Sequence, residues 1–250
     1  MQRITFMRRI MQIGLVILSV ILLLGVTVML QNVDPKQKPP AFESHSFPDT
    51  LANKTYNLDS LKAIIGANKG FPQGFEVAAA IAYSAYPELK EVEIDMALTQ
   101  GGAPMESTPV VSSLFGSRKN RRYRVLLNDA RNTYFDPILL RALPFDAQVG
   151  ILAHELGHIV YYEQLNVLEF GKWGIEYLRN DEFRAAHERT TDLMPVYHGL
   201  GSQIYQYAWY IRNDPSCKSL YAEGKDFLDK YYLTDQELLS AMHGKDLPDD

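Results

Sequence analysis

From Ile13 to Leu30 the chain carries no charged residue. That run is long enough to cross a bilayer, which takes about 20 apolar residues. A cleaved signal peptide is the competing reading, but its apolar core is usually shorter and ends at small residues. This run ends Gly25-Val-Thr-Val-Met-Leu30, so an uncleaved anchor is expected. Pro35, Pro39, Pro40 and Pro48 then punctuate a polar stretch over 31–48, which reads as an extended tether reaching on the order of 50 Å. Beyond it the pattern becomes that of a folded domain, 49–250. Phe75 to Tyr86 is alanine-rich and stopped by Pro87, which predicts a helix. Glu91 to Leu98 alternates charged and apolar residues, the period of a strand with one buried face. Pro109 to Phe115 and Tyr123 to Leu127 predict two more strands, joined through turn residues Gly116 to Arg122.

After these strands the period changes to that of helices. Asp146 is placed to cap a helix from Ala147 to about Glu163. Asp181 to about Tyr197 predicts a second, with Pro195 as a kink and Gly199 as its C-terminal stop. Ser202 to Arg212 and Leu220 to Lys230 follow, and Thr234-Asp-Gln-Glu237 is a capping box opening a last short helix. The expected class is α+β: a three-stranded antiparallel or mixed sheet followed by a helical lobe, with one N-terminal transmembrane helix.

Charge and cysteine content narrow the partners. The chain has 25 Lys and Arg against 30 Asp and Glu, a net charge of −5. Three of the arginines, Arg3, Arg8 and Arg9, precede the apolar run, so residues 31–250 hold 22 basic against 30 acidic residues and carry −8. An acidic domain argues against nucleic acid as a partner. Arg3, Arg8 and Arg9 predict a cytoplasmic N-terminus, with the domain on the other side of a bacterial-type inner membrane, in the periplasm. Cys217 is the single cysteine, so no intrachain disulfide forms. The oligomeric state is left open.

The chemistry lies in Gly150 to Tyr162, GILAHELGHIVYY. On a helical wheel Val149, Leu152, Ala153, Leu156, Ile159 and Val160 share one side. His154 and His158 fall opposite, with Glu155 at their edge. Side chains four residues apart project together, so two imidazoles can reach one metal ion. Glu155, one step round, is placed to meet a water at that ion rather than to ligate it.

The HExxH spacing resembles that of the zincin metallopeptidases. The longer metzincin pattern is absent, because Ile159 to Gln164 lacks its Gly and His. Glu188-x-x-x-Asp192 instead resembles the gluzincin pattern. The resemblance implies one Zn²⁺ held by His154, His158 and Glu188, with Asp192 hydrogen-bonded to His154. Asp192, His198 and His187 remain alternatives for the third ligand; His45 and His243 read as solvated surface residues. It also implies a zincin-like fold, hydrolysis of a protein or peptide substrate with Glu155 as general base, and a substrate paired with the strand at Tyr123 to Asn128. Tyr197, His198 and Arg189 are the candidates for stabilising the oxyanion. A zinc-binding but inactive scaffold or regulatory module is the alternative function.

Overall fold

The computed structural model describes residues 51 and 54–244. The predicted anchor over residues 13–30 and the tether over 31–48 lie outside the described residues. Among the described residues no helix is long and apolar enough to cross a membrane.

The domain opens with helix α1 (Leu58–Ile65), capped by the Asn57 side chain, then a two-residue strand β1 (Lys69–Gly70) and helix α2 (Glu76–Ser84). Strands β2 (Glu93–Thr99), β3 (Met105–Pro109) and β4 (Arg122–Asn128) complete the sheet. Its order is β1-β2-β4-β3; β1, β2 and β4 run parallel, and β3 is antiparallel to β4. Among the described residues the sheet is therefore mixed and has four strands, not three. A two-residue strand has too little alternation to register as a pattern. The predicted strand Pro109 to Phe115 is also displaced: β3 ends at Pro109, and Val111–Phe115 is a 3-10 turn. Valine and phenylalanine favour strands by packing on a pleated face, but Val111 and Phe115 are exposed here and have no such face.

One face of the sheet is apolar. Ile94 and Met96 of β2 and Tyr123, Val125 and Leu127 of β4 are buried, while Glu93, Arg122 and Arg124 between them are exposed. Helix α3 (Phe145–Gln164) packs near that buried side and bears the HExxH stretch. The expected cap at Asp146 is not made. Pro144 takes the N-cap position, and Asp146 lies inside the first turn. Its Oδ1 instead accepts hydrogen bonds from Leu51 N and Gln203 Nε2, both at 2.8 Å. Two orphan donors distant in sequence outcompete the local cap.

The helical lobe continues with α4 (Val167–Arg179), α5 (Asp181–Tyr197), α6 (Gly201–Asn213), α7 (Lys218–Tyr231) and α8 (Asp235–Met242). Helix α4 has no counterpart in the sequence reading, although Asn166 and Glu169 form a capping box at its start. Proline 195 lies within α5, which ends as foreseen at Gly199: Leu200 N reaches Pro195 O at 2.7 Å and Gly199 N reaches Val196 O at 3.2 Å, the paired bonds of a Schellman stop. Two glycines let the helices approach α3. A Cβ on Gly150 would stand 2.3 Å from Gln203 O of α6, and one on Gly157 would stand 2.9 Å from Met194 Cβ of α5. Gly157 lies inside the HExxH stretch itself, so the motif is also the contact that draws α5 close.

Candidate metal centre

Helix α3 is buried almost all round, so its polar stripe faces protein rather than open solvent. His154, Glu155 and His158 are 2%, 5% and 7% exposed, and Glu188 and Asp192 of α5 are 3% and 5% exposed. Buried charge without partners is costly, and each of these groups has a specific partner. Among the described residues, the group of three or more metal-binding side chains is His154, His158 and Glu188, whose ligand atoms lie within 4.8 Å of one another. Glu188 Oε2 stands 3.4 Å from His154 Nε2 and 3.5 Å from His158 Nε2. These three side chains could hold a metal ion.

Each of the three is turned toward the shared centre by a group behind it. His154 Nδ1 is 2.8 Å from Asp192 Oδ1, so the ring donates there and Nε2 faces Glu188. Asp192 is held in turn by Leu233 N, which donates to Oδ2 at 2.8 Å. His158 Nδ1 is 3.1 Å from His187 Nε2. Burial and the neighbouring His158 push the pKa of His187 down to about 3, so it is neutral and can accept through Nε2. Tyr177 of α4 donates to Glu188 Oε1 at 2.5 Å, leaving Oε2 for the two imidazoles. Metal ligands are commonly oriented by such outer partners, and the tautomer of a histidine follows from them.

The buried groups at the centre shift one another's pKa values. Burial opposes charge on His154, but its hydrogen bonds to Asp192 and Glu188 and their charge raise its pKa well above the usual value. Burial would likewise raise Glu188; the charge of His158 and hydrogen bonds with both imidazoles hold it well below the carboxylate range. Glu155 sits beside this group on α3. Ser107 Oγ of β3 lies 2.8 Å from both the Glu155 main-chain oxygen and its Oε2.

The remaining candidates separate. His187 is a partner of His158 rather than a member of the three, and Asp192 supports His154. His198 is engaged elsewhere: Nε2 meets Glu88 Oε1 and Nδ1 meets Met194 O, both at 2.7 Å, while its ring stacks on Tyr86. Arg189 pairs with Glu237 at 2.6 Å. Tyr197 ends α5, and burial raises its phenol pKa. Two tyrosines not singled out by the sequence feel the carboxylates of the site. Burial comes first for Tyr207 and Tyr232, but the charges of Glu155 and Asp192 also raise both phenols. The Tyr232 ring is 6.1 Å from that of His154. Tyr177, Tyr207, Tyr232 and Ser107 lie far from the motif in sequence and carry no local signal.

No protein-family model matches the chain, and no curated protein or solved structure gives a significant match. The functional reading rests on the site.

Proposed function

We propose that the chain is a gluzincin-type zinc metallopeptidase, anchored to a membrane through residues 13–30 and cleaving extended peptide segments. The observation that carries this reading is the spacing at Glu188 Oε2. Two atoms bound tetrahedrally to one zinc ion at about 2.0–2.1 Å lie roughly 3.3–3.4 Å apart. The distances of 3.4 and 3.5 Å to the two Nε2 atoms fit that edge. Two imidazoles and one carboxylate are also a donor set of catalytic zinc, which keeps a fourth position open.

Zinc held there would act as a Lewis acid and lower the pKa of a bound water. The chain supplies the rest. Glu155 takes a proton from the attacking water and passes it to the nitrogen that leaves the cleaved peptide bond. Tyr232 and Tyr207, kept protonated by burial and neighbouring carboxylates, are the O–H donors assigned to the oxygen that gains charge. They replace His198 and Arg189 in that role, because those two side chains are tied to Glu88 and Glu237.

The peptide-pairing strand is also reassigned. Strand β4 is bonded on both sides, so Tyr123 to Asn128 has no free edge. Strand β3 has one. Asn128 N bonds Pro104 O and Val110 N bonds Arg122 O, and an antiparallel ladder alternates bonded and unbonded pairs. Met105, Ser107 and Pro109 therefore turn their backbone groups away from β4. The missing N–H of Pro109 costs no bond at that position. An extended peptide can add to this edge through the N–H and C=O of Met105 and Ser107.

The test uses the full chain purified in detergent. Wild type should bind one zinc per chain and cleave peptides from a mixed library. Glu155→Gln should keep the zinc and lose cleavage by at least about 100-fold. Zinc binding with no cleavage of any peptide would support an inactive scaffold instead.

A further inference from the structure

Glu155 is buried on α3, yet a base must hold its carboxylate in place and still meet water. The hydrogen bond to that carboxylate comes from Ser107 of β3, through Oε2 at 2.8 Å. The other carboxylate oxygen accepts no hydrogen bond from the described residues and is not among the sealed, unpartnered polar atoms. One oxygen is thus anchored and the other left reachable. We infer that Ser107 is the positioning residue of Glu155, fixing the base against the same edge strand on which the peptide would pair. This rests on the peptidase reading.

The hydroxyl suits the task for a reason beyond distance. It has one hydrogen and two acceptors, Glu155 Oε2 and the Glu155 main-chain oxygen, each at 2.8 Å. Toward a bare carboxylate it donates to Oε2, the stronger charge-assisted bond. After Glu155 has taken the proton from water on its other oxygen, Oε2 is the carbonyl oxygen of the acid and still accepts the hydrogen of the hydroxyl. Its bond to the side chain survives both states without movement of β3 or α3. Alanine at this position would leave the carboxylate free to change rotamer. Threonine keeps the hydroxyl and is at home in a strand.

Ser107 also connects two events. Its side chain holds the base while its N–H and C=O point to the open edge, so a peptide paired at Ser107 is placed in register with Glu155.

The experiment compares wild type, Ser107→Ala, Ser107→Thr and Glu155→Gln as full chains, reading zinc content, kcat and KM on one cleaved peptide. Ser107→Ala should keep one zinc per chain and its KM within about twofold while kcat falls roughly 10- to 100-fold, the effect of losing a hydrogen bond to a charged group. Ser107→Thr should recover most of kcat. Full kcat in Ser107→Ala, with Glu155→Gln inactive, would overturn the role of Ser107 and leave the peptidase reading standing. Loss of zinc in Ser107→Ala, or a loss confined to KM, would also overturn it. Wild type that cleaves no peptide would overturn both.

Discussion

At the scale of single residues, the side chains that would touch a metal were legible and those that orient them were mostly not. HExxH announces itself because helical geometry forces i and i+4 together. Asp192 was reachable through its spacing from Glu188. Tyr177, His187 and Ser107 act across tertiary contacts, and no periodicity marks such residues. Their contribution can be measured. Asp192→Asn should weaken zinc binding roughly 10- to 100-fold, because the amide can donate to His154 Nδ1 and favour the wrong tautomer. His187→Phe would keep the ring packing against Tyr161, Trp173 and Tyr177 but remove the acceptor for His158. Its zinc affinity should fall by a similar factor, roughly 10- to 100-fold, in competition with a chelator. Affinity equal to wild type in His187→Phe would show that His158 needs no partner.

Among the elements, long periodic segments were read well and short or irregular ones were not. Helix α3 was expected from Ala147 to about Glu163 and runs Phe145–Gln164; α5 matches its expected span. Strand β1, with two residues, and β3, which has only Met105 as an apolar anchor before Pro109, lie below what alternation can reveal. Helix α4 was missed despite its capping box, because its start follows α3 after a two-residue break at Leu165 and Asn166. The packing of α5 on α3 is what brings Glu188 to the histidines, and Gly157 sets that distance. Gly157→Val would place a branched side chain where even a Cβ stands 2.9 Å from Met194 Cβ and 3.2 Å from Thr191 Cγ2. The expected result is loss of zinc binding with destabilisation of about 1–3 kcal/mol, the usual range for overpacking. A variant with normal zinc affinity would mean that α5 is positioned by other contacts.

In the molecule as a whole, the C-terminal segment is part of the site's support. Helix α5 is tied to it along its length: Arg184 meets Tyr231, Arg189 meets Glu237, and Asp192 accepts from Leu233 N. Sequence gave the capping box at Thr234 but not where its helix docks. Burial would raise the pKa of Glu237; hydrogen bonds from Thr234 N, Arg189 and the Thr234 hydroxyl outweigh burial and lower it. A carboxyl whose folded pKa lies below its unfolded value adds stability that is present above the unfolded value and lost as pH falls through the folded one. The stability difference between wild type and Glu237→Gln should therefore shrink between about pH 6 and pH 3 in denaturant titrations. A difference independent of pH would remove the Arg189–Glu237 pair from that account.

The central claim is that His154, His158 and Glu188 hold one zinc ion. The most direct measurement is elemental analysis of the purified full chain, for wild type, His158→Ala and Glu188→Ala, each checked for folding by circular dichroism. The account predicts one zinc per wild-type chain and loss or great weakening of binding in both folded variants. Wild type without metal after zinc is supplied, or Glu188→Ala that binds as tightly as wild type, would contradict it.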